Sequence, residues 1–233
     1  MAQEGLYRIE PVQEKDTDDV MKLLRRTFFI DEPMNKKLGL CTSDTNSCPE
    51  LEDYCTKSLY EGLSFKAVDN ENNIVGVLIC GVCPLKEDEN GNDLLSLAKR
   101  CENPKFQKIL YILARRETGT RLWERFPHEE FLVDVKVAAT DPQWRKKGIM
   151  KALLTVAEEA TLKRNIKLVR MDTSSAYSAM SAERLGYTCV YTARYRDIKL
   201  DGQPLIVPDP PHEADSVYVK MLFDPATVSV PAQ

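Results

Sequence analysis

The sequence predicts an α/β fold in which a mixed β-sheet of about seven strands carries helices on both faces. Three observations carry this reading. Strand-like and helix-like stretches alternate along the chain. Ile74–Val82 is almost continuously apolar, as a strand covered on both faces must be. Finally, Val133–Val137, the basic loop Arg145-Lys146-Lys147-Gly148 and an apolar-periodic stretch follow one another as strand, loop and helix.

Tyr7–Val12 alternates as a first strand, and Asp16/Thr17 can cap a helix through Val20, Leu23, Leu24, Thr27 and Phe28. Asp31-Glu32-Pro33 ends that helix, and Pro33 pushes Glu32 out of helical geometry into a loop. A second helix begins at Pro49-Glu50 and runs to about Glu61. A hairpin follows, with Leu63–Asp69 and Ile74–Val82 joined by a turn at Asn70–Asn73. Lys86–Asp93 reads as a polar, acidic loop. Helical spacing resumes at Leu94, Leu97 and Ala98, and again from Pro104 toward Trp123. Phe131–Ala138 alternates as a half-buried strand until Thr140-Asp141-Pro142 breaks it. After Gly148 one helical face is traced by Met150, Leu153, Leu154, Ala157 and Thr161. Ile166–Met171, Thr188–Tyr195 and Val217–Phe223 complete the strands, with a short helix Tyr177–Leu185 stopped by Gly186 and a Pro-rich loop at Pro204–His212.

With 233 residues, 43% apolar and 29% charged, the chain suits a single domain, its core at about residues 7–223 and a loose tail at 224–233. The net charge of −4 gives no general attraction to nucleic acid, so no nucleic-acid partner is expected. No apolar run approaches a membrane span, and the start lacks the pattern of a signal peptide, so no membrane association is expected. Seven scattered cysteines are an odd number in a chain too large to need disulfide staples, which fits a reduced, cytoplasmic setting.

A helix that opens on Gly148 points unpaired N–H groups and a positive dipole end at whatever lies over the loop. Arg145, Lys146 and Lys147 add cations at its rim, favouring a ligand with several phosphates. The P-loop and dinucleotide-binding patterns both demand further glycines, and Gly148 stands alone. What the loop resembles is the acyl-CoA motif of the GCN5-related N-acetyltransferases, Arg/Gln-x-x-Gly-x-Gly/Ala, here Arg145-Lys146-Lys147-Gly148-Ile149-Met150. Met150 departs from the motif's small residue. Glu183-Arg184-Leu185-Gly186-Tyr187 matches the family's Leu-Gly-aromatic helix end. Within that superfamily the chain resembles the insect-type arylalkylamine N-acetyltransferases, through Phe28-Phe29-Ile30-Asp31-Glu32-Pro33, Asp141-Pro142 and Ser174-Ser175-Ala176-Tyr177-Ser178-Ala179.

The resemblance implies a GNAT fold with a splayed strand pair at the acetyl-CoA site and direct acetyl transfer to small arylalkylamines such as dopamine, tyramine, tryptamine or serotonin. Acetyl-CoA is then the co-substrate and a small aromatic amine the acceptor; no metal is implied. A primary alkylamine resembles a lysine side chain, so only about 1 in 2,500 molecules is neutral at pH 7 and a base is needed. Glu32 is the base candidate, since Pro33 holds it in a loop and the matching family residue is the proposed base. The resemblance also gives Ser174 and Ser178 a catalytic or positioning part and makes Tyr177 the candidate that protonates the CoA thiolate. Ser175 reads as a helix cap. Backbone donors near Lys136–Ala138, with Val137 and Ala138 at the centre, would serve the thioester carbonyl, and Arg145–Met150 the pyrophosphate.

The pair Phe28 and Phe29 reads equally as wall of an aromatic-amine pocket or as core. Cys80-Gly81-Val82-Cys83 has metal-site spacing but lacks a second pair, and reads as two core cysteines. Arg194-Tyr195-Arg196 reads as a solvated strand edge. Two rival readings are the same fold acetylating a polyamine, agmatine, histamine or an amino-acid-like amine, and a CoA-binding protein without turnover. Acidic pocket walls would favour a dication and aromatic walls an arylamine.

Overall fold

The apolar stretch read as a two-sided strand is β3 (Ile74–Pro84), buried along most of its length. In the computed structural model, which describes residues 5–42, 44–86 and 94–223, it sits inside a seven-stranded sheet. The other strands are β1 (Tyr7–Pro11), β2 (Phe65–Asp69), β4 (Phe131–Thr140), β5 (Leu168–Thr173), β6 (Thr188–Arg194) and β9 (Ala214–Met221). Their order is β1-β2-β3-β4-β5-β9-β6, and only β4 and β5 run parallel. Between β6 and β9 the short strands β7 (Lys199–Leu200) and β8 (Gln203–Pro204) pair with each other.

Helices cover both faces. On one face α1 (Thr17–Arg26), α4 (Pro49–Thr56) and α6 (Pro104–Thr120) bury Leu23, Leu24, Leu51, Ile109 and Ile112 with Val77 and Ile79 of β3. On the other, α8 (Ile149–Lys163) and α9 (Ala176–Arg184) bury Leu153, Leu154, Ala157 and Ala182 with Leu78, Cys80, Val133 and Val135. Burying a residue of this kind contributes roughly 1.5–3 kcal/mol, so the two clusters hold the layers together. Gly76 is what lets α8 approach β3: a Cβ there would lie 2.6 Å from Ile149 Cγ2.

Pairing between β4 and β5 stops at Val135 opposite Met171. Beyond that point β4 continues alongside β3 alone, to Thr140 opposite Gly76, while β5 continues alongside β9 through Thr173. The two strands therefore fork. A β-bulge sits at the same level: Ile79 faces Val137 and Cys80 faces Val135, leaving Lys136 as the extra residue. Such a bulge bends and twists its strand, and that opens the fork.

Several boundaries differ from the sequence reading. The first helix stops at Arg26, because Thr27 leaves helical geometry (φ −129°, ψ −88°) and its hydroxyl donates back to Leu23 O at 2.6 Å. Two short helices follow, α2 (Phe28–Asp31) and α3 (Pro33–Leu38), with Glu32 between them. The helix read from Pro104 toward Trp123 breaks at Arg121, whose φ is 43°, and α7 (Leu122–Arg125) is separate. Helix α5 (Leu94–Arg100) starts where helical spacing resumes. The solvated-edge reading of Arg194-Tyr195-Arg196 is corrected: Tyr195 is 1% exposed. The acidic loop after Lys86 and the tail from Asp224 lie outside the described residues. Among the described residues no helix is long and apolar enough to cross a membrane.

Candidate active site

Glu32 is extended (φ −62°, ψ 130°), the geometry that Pro33 demands of its predecessor. It is also the N-cap of α3, with Oε2 accepting from Asn35 N at 2.7 Å. Its other oxygen, Oε1, is shut off from solvent and has no hydrogen-bond partner. Burial pushes the carboxyl above its ordinary 4.5, opposed in part by the neighbouring Ser174 side chain, the backbone of Asn35 and Met34, and the field of Arg116. The structure thus brings together Glu32 and Ser174, which are far apart in the sequence.

Ser174 lies just past the end of β5. Its carbonyl accepts a 2.8 Å hydrogen bond from the Tyr195 hydroxyl. Ser175 caps α9 as the sequence indicates, accepting from Ser178 N at 3.0 Å. Ser178 completes a reciprocal capping box: its hydroxyl lies 2.8 Å from that of Ser175 and accepts from Ser175 N at 3.3 Å. Tyr177 projects from the first turn, 63% exposed, with its ring edge-on to His212 at 5.4 Å. His212 Nδ1 in turn accepts from Ala176 N at 3.2 Å, which ties the Pro-rich loop to the start of α9.

Behind Ser174 lies a buried ionic network that the sequence reading missed. Arg116 of α6 donates to both oxygens of Asp215 (2.9 and 2.5 Å) and to Asp172 at 3.1 Å. Arg170 holds Asp172 through two bonds of 2.8 and 2.9 Å and reaches Glu117 at 2.5 Å. Burial pushes Asp172 up, but Arg170 and then Arg116 outweigh it and hold its carboxyl below the ordinary range. For Asp215 burial wins over Arg116 and the carboxyl rises. Charged residues inside otherwise apolar strands, as at Arg170-Met171-Asp172 and Asp215, are the sequence signal that marks such a network.

The basic loop has the predicted form. Gly148 takes φ 79°, ψ 3°, and caps α8 with no side chain. The first helical hydrogen bond runs from Ala152 N to Gly148 O, so the N–H groups of the preceding turn face out of the helix end. Lys146 is also left-handed, at φ 63°. Arg145 Nη2 pairs with Asp31 Oδ2 at 2.8 Å, Arg26 with Asp141 at 2.9 Å, and Lys147 Nζ lies 4.2 Å from the centre of the Trp144 ring. Ile149 is 2% exposed, so its side chain is core and only its backbone can reach a ligand; Met150 is half-buried. Val137 is buried and Ala138 exposed, both on the arm of β4 that pairs with β3 but no longer with β5.

A cavity of about 790 Å³ opens on the α6 face of the fork, within the size range of small-molecule sites. Tyr54, Trp123, Glu117, Asp134, Lys136 and Asp172 are among its walls. Phe29 is fully buried, which corrects its reading as a pocket wall: it belongs to the core, while Phe28 is half-buried against it. Cys80 is fully buried and Cys83 is a free thiol pushed up to about 11 by burial. Among the described residues no group of three or more His, Cys, Asp or Glu side chains is placed to hold a metal ion.

No protein-family model matches the chain. Solved structures do. It is 28% identical to arylalkylamine N-acetyltransferase 2 from Aedes aegypti, with a TM-score of 0.86 over 93% of this chain and 99% of that one. A Drosophila melanogaster polyamine N-acetyltransferase that catalyses formation of N-acetylagmatine is 28% identical, with a TM-score of 0.81 over 93% of this chain and 100% of that one. An agmatine N-acetyltransferase is 25% identical, with a TM-score of 0.82 over 93% of this chain and 99% of that one. The resemblance carried by the sequence motifs is borne out over nearly the whole chain.

Proposed function

From the GCN5-related N-acetyltransferase fold, which this chain shares with insect arylalkylamine N-acetyltransferases, we infer that it transfers acetyl from acetyl-CoA directly to the primary amine of a small alkylamine. The observation that carries this reading is Glu32 Oε1, a carboxylate oxygen closed to solvent, without a partner and beside Ser174 at the open fork.

In this mechanism the uncapped start of α8, with Arg145, Lys146, Lys147 and the backbone of Gly148, Ile149 and Met150, takes the pyrophosphate of CoA. The arm of β4 that has parted from β5, at Val137 and Ala138, offers a backbone N–H on its fork-facing edge to the thioester oxygen as charge develops on it. Glu32 accepts a proton from the ammonium, leaving a nitrogen lone pair free to attack. The nitrogen–carbon bond forms and the carbon–sulfur bond breaks; the thiolate takes a proton from Tyr177, and the second proton that the nitrogen sheds on becoming an amide passes through solvent to restore the phenol, leaving Glu32 to release its own proton to water. Ser174 orients Glu32 and the amine, and Ser178 holds the turn that presents Ser174 and Tyr177. A carboxyl raised by burial suits this work, because its affinity for a proton moves toward the operating pH.

The acceptor class is arylalkylamines, among them dopamine, tyramine, tryptamine and serotonin; Tyr54 and Trp123 in the cavity walls support it. A second reading, a diamine or agmatine, is favoured by Glu117 and Asp134 in the same walls and by the activities of two of the similar structures. Release of CoA from acetyl-CoA over a panel of aromatic and aliphatic amines tests the function. No turnover on any member would overturn it.

A further inference from the structure

Asp134 differs from the neighbouring aspartates Asp172 and Asp215 in one respect. Asp172 has both oxygens bonded, accepting three hydrogen bonds from Arg170 and Arg116, and Asp215 accepts two from Arg116. Asp134 has a contact of 3.4 Å from Lys136 Nζ to Oδ2, while Oδ1 is buried without a partner. An unsatisfied buried carboxylate oxygen is costly and calls for an explanation. Asp134 also lines the 790 Å³ cavity. It lies opposite Arg170 in the β4–β5 ladder, one pair before the last, so the cavity adjoins the fork. From Arg170 to Ser174 is four residues of chain, or about 13 Å at the rise of an extended strand. That separation, shortened at both ends by side-chain reach, is on the scale of a small bifunctional amine.

We propose that Asp134 is the specificity-determining residue of the acceptor pocket, its under-bonded carboxylate receiving a hydrogen-bond donor at the end of the acceptor remote from the reacting amine. Exposed Lys86 and Arg121 line the cavity as well, so its walls carry both signs, and a donor rather than net charge is what Asp134 reads. A phenolic hydroxyl and a second ammonium or guanidinium share that chemistry. The inference rests on the transferase reading and deepens it.

The test compares matched acceptors that differ in the far donor: tyramine against phenethylamine, and agmatine against pentylamine. Wild type should favour the donor-bearing member of at least one pair by about tenfold or more in kcat/KM, as expected for a hydrogen bond to a charged group. Asp134→Ala should erase that preference while changing kcat/KM for phenethylamine and pentylamine less than about threefold. Asp134→Asn, which keeps the shape and an amide oxygen that still accepts, should weaken the preference less than Asp134→Ala does. The pair that responds identifies the donor. Equal preference in wild type and in folded Asp134→Ala, or no preference in wild type, would overturn the proposal. Should wild type acetylate no amine, the transferase reading fails instead, and calorimetric binding of the same four amines decides on Asp134 by the same criterion.

Discussion

Arg145 Nη2 lies 2.8 Å from Asp31 Oδ2, so the basic loop is tied to the residue that precedes Glu32. Both side chains are about half exposed, and an exposed pair of this kind contributes only about 0–1 kcal/mol. Its consequence is therefore for binding. A pyrophosphate over α8 competes with Asp31 for the guanidinium. Asp31→Asn should tighten CoA binding about two- to fivefold at low ionic strength with Tm nearly unchanged, and Arg145→Ala should weaken it by about fivefold or more. Calorimetry at rising salt checks the cause, since both differences should shrink as the Debye length falls.

Glu32→Gln should lower kcat/KM at least about tenfold and weaken the acidic limb of its pH profile, because the proton acceptor is lost. Burial raises this carboxyl in the folded protein above its ordinary 4.5. The stability it contributes is thus fully present below the unfolded value and is lost as pH rises through the folded one. At pH 7–8 the ionised wild-type side chain is a burden, so Glu32→Gln should melt higher, by about 2 °C or more, and the gap should close toward pH 4.5. An unchanged rate profile would remove Glu32 from the reaction.

Tyr195→Phe removes the hydroxyl that donates to Ser174 O at 2.8 Å. One such bond is worth about 1 kcal/mol of stability, a modest shift in melting temperature. The larger effect should fall on kcat, about three- to tenfold, with KM for acetyl-CoA unchanged, because the Ser174 backbone loses its anchor beside Glu32. Burial, then the fields of Asp215 and Glu32, push this phenol up, so it acts as a donor across the working pH range.

The strands were legible because their periods are local: β3 reads as two-sided, and β4 alternates up to its break. Glu32 and Ser174 stood out through short motifs. What local pattern does not reveal is pairing across the chain. The fork depends on where β4 and β5 cease to pair, and Arg116 meets Asp172 and Asp215 across 56 and 99 residues. Tyr195 was misread for the same reason. Two flanking arginines make it look solvated, yet the carbonyl it binds is on another strand's end.

Gly148→Ala separates backbone strain from crowding. The nearest atom to a Cβ there is Tyr7 Oη at 3.9 Å, so space is available, but φ is 79°. A left-handed alanine costs about 1–2 kcal/mol, which should lower Tm by about 2–8 °C. Relaxation of that strain would turn the first N–H groups of α8 away from the loop, so KM for acetyl-CoA should rise while KM for the amine holds.

Arg116 is 4% exposed and neutralises two carboxylates, Asp172 and Asp215, which lie on neighbouring strands. Replacing it by methionine leaves Asp215 buried with no cation bonded to it and Asp172 with Arg170 alone. Breaking a buried pair in this way costs about 3–5 kcal/mol, more than any other substitution considered above. The loss should depend on pH in a defined direction. In wild type Asp172 is held below its ordinary 3.8, so its contribution is present at neutral pH and fades only in strong acid. Without Arg116 both carboxyls rise, and a raised carboxyl destabilises as pH climbs through its folded value. Urea denaturation of Arg116→Met should therefore show a deficit that is larger at pH 8 than at pH 5, and a deficit independent of pH would mean that the arginine acts through packing rather than charge.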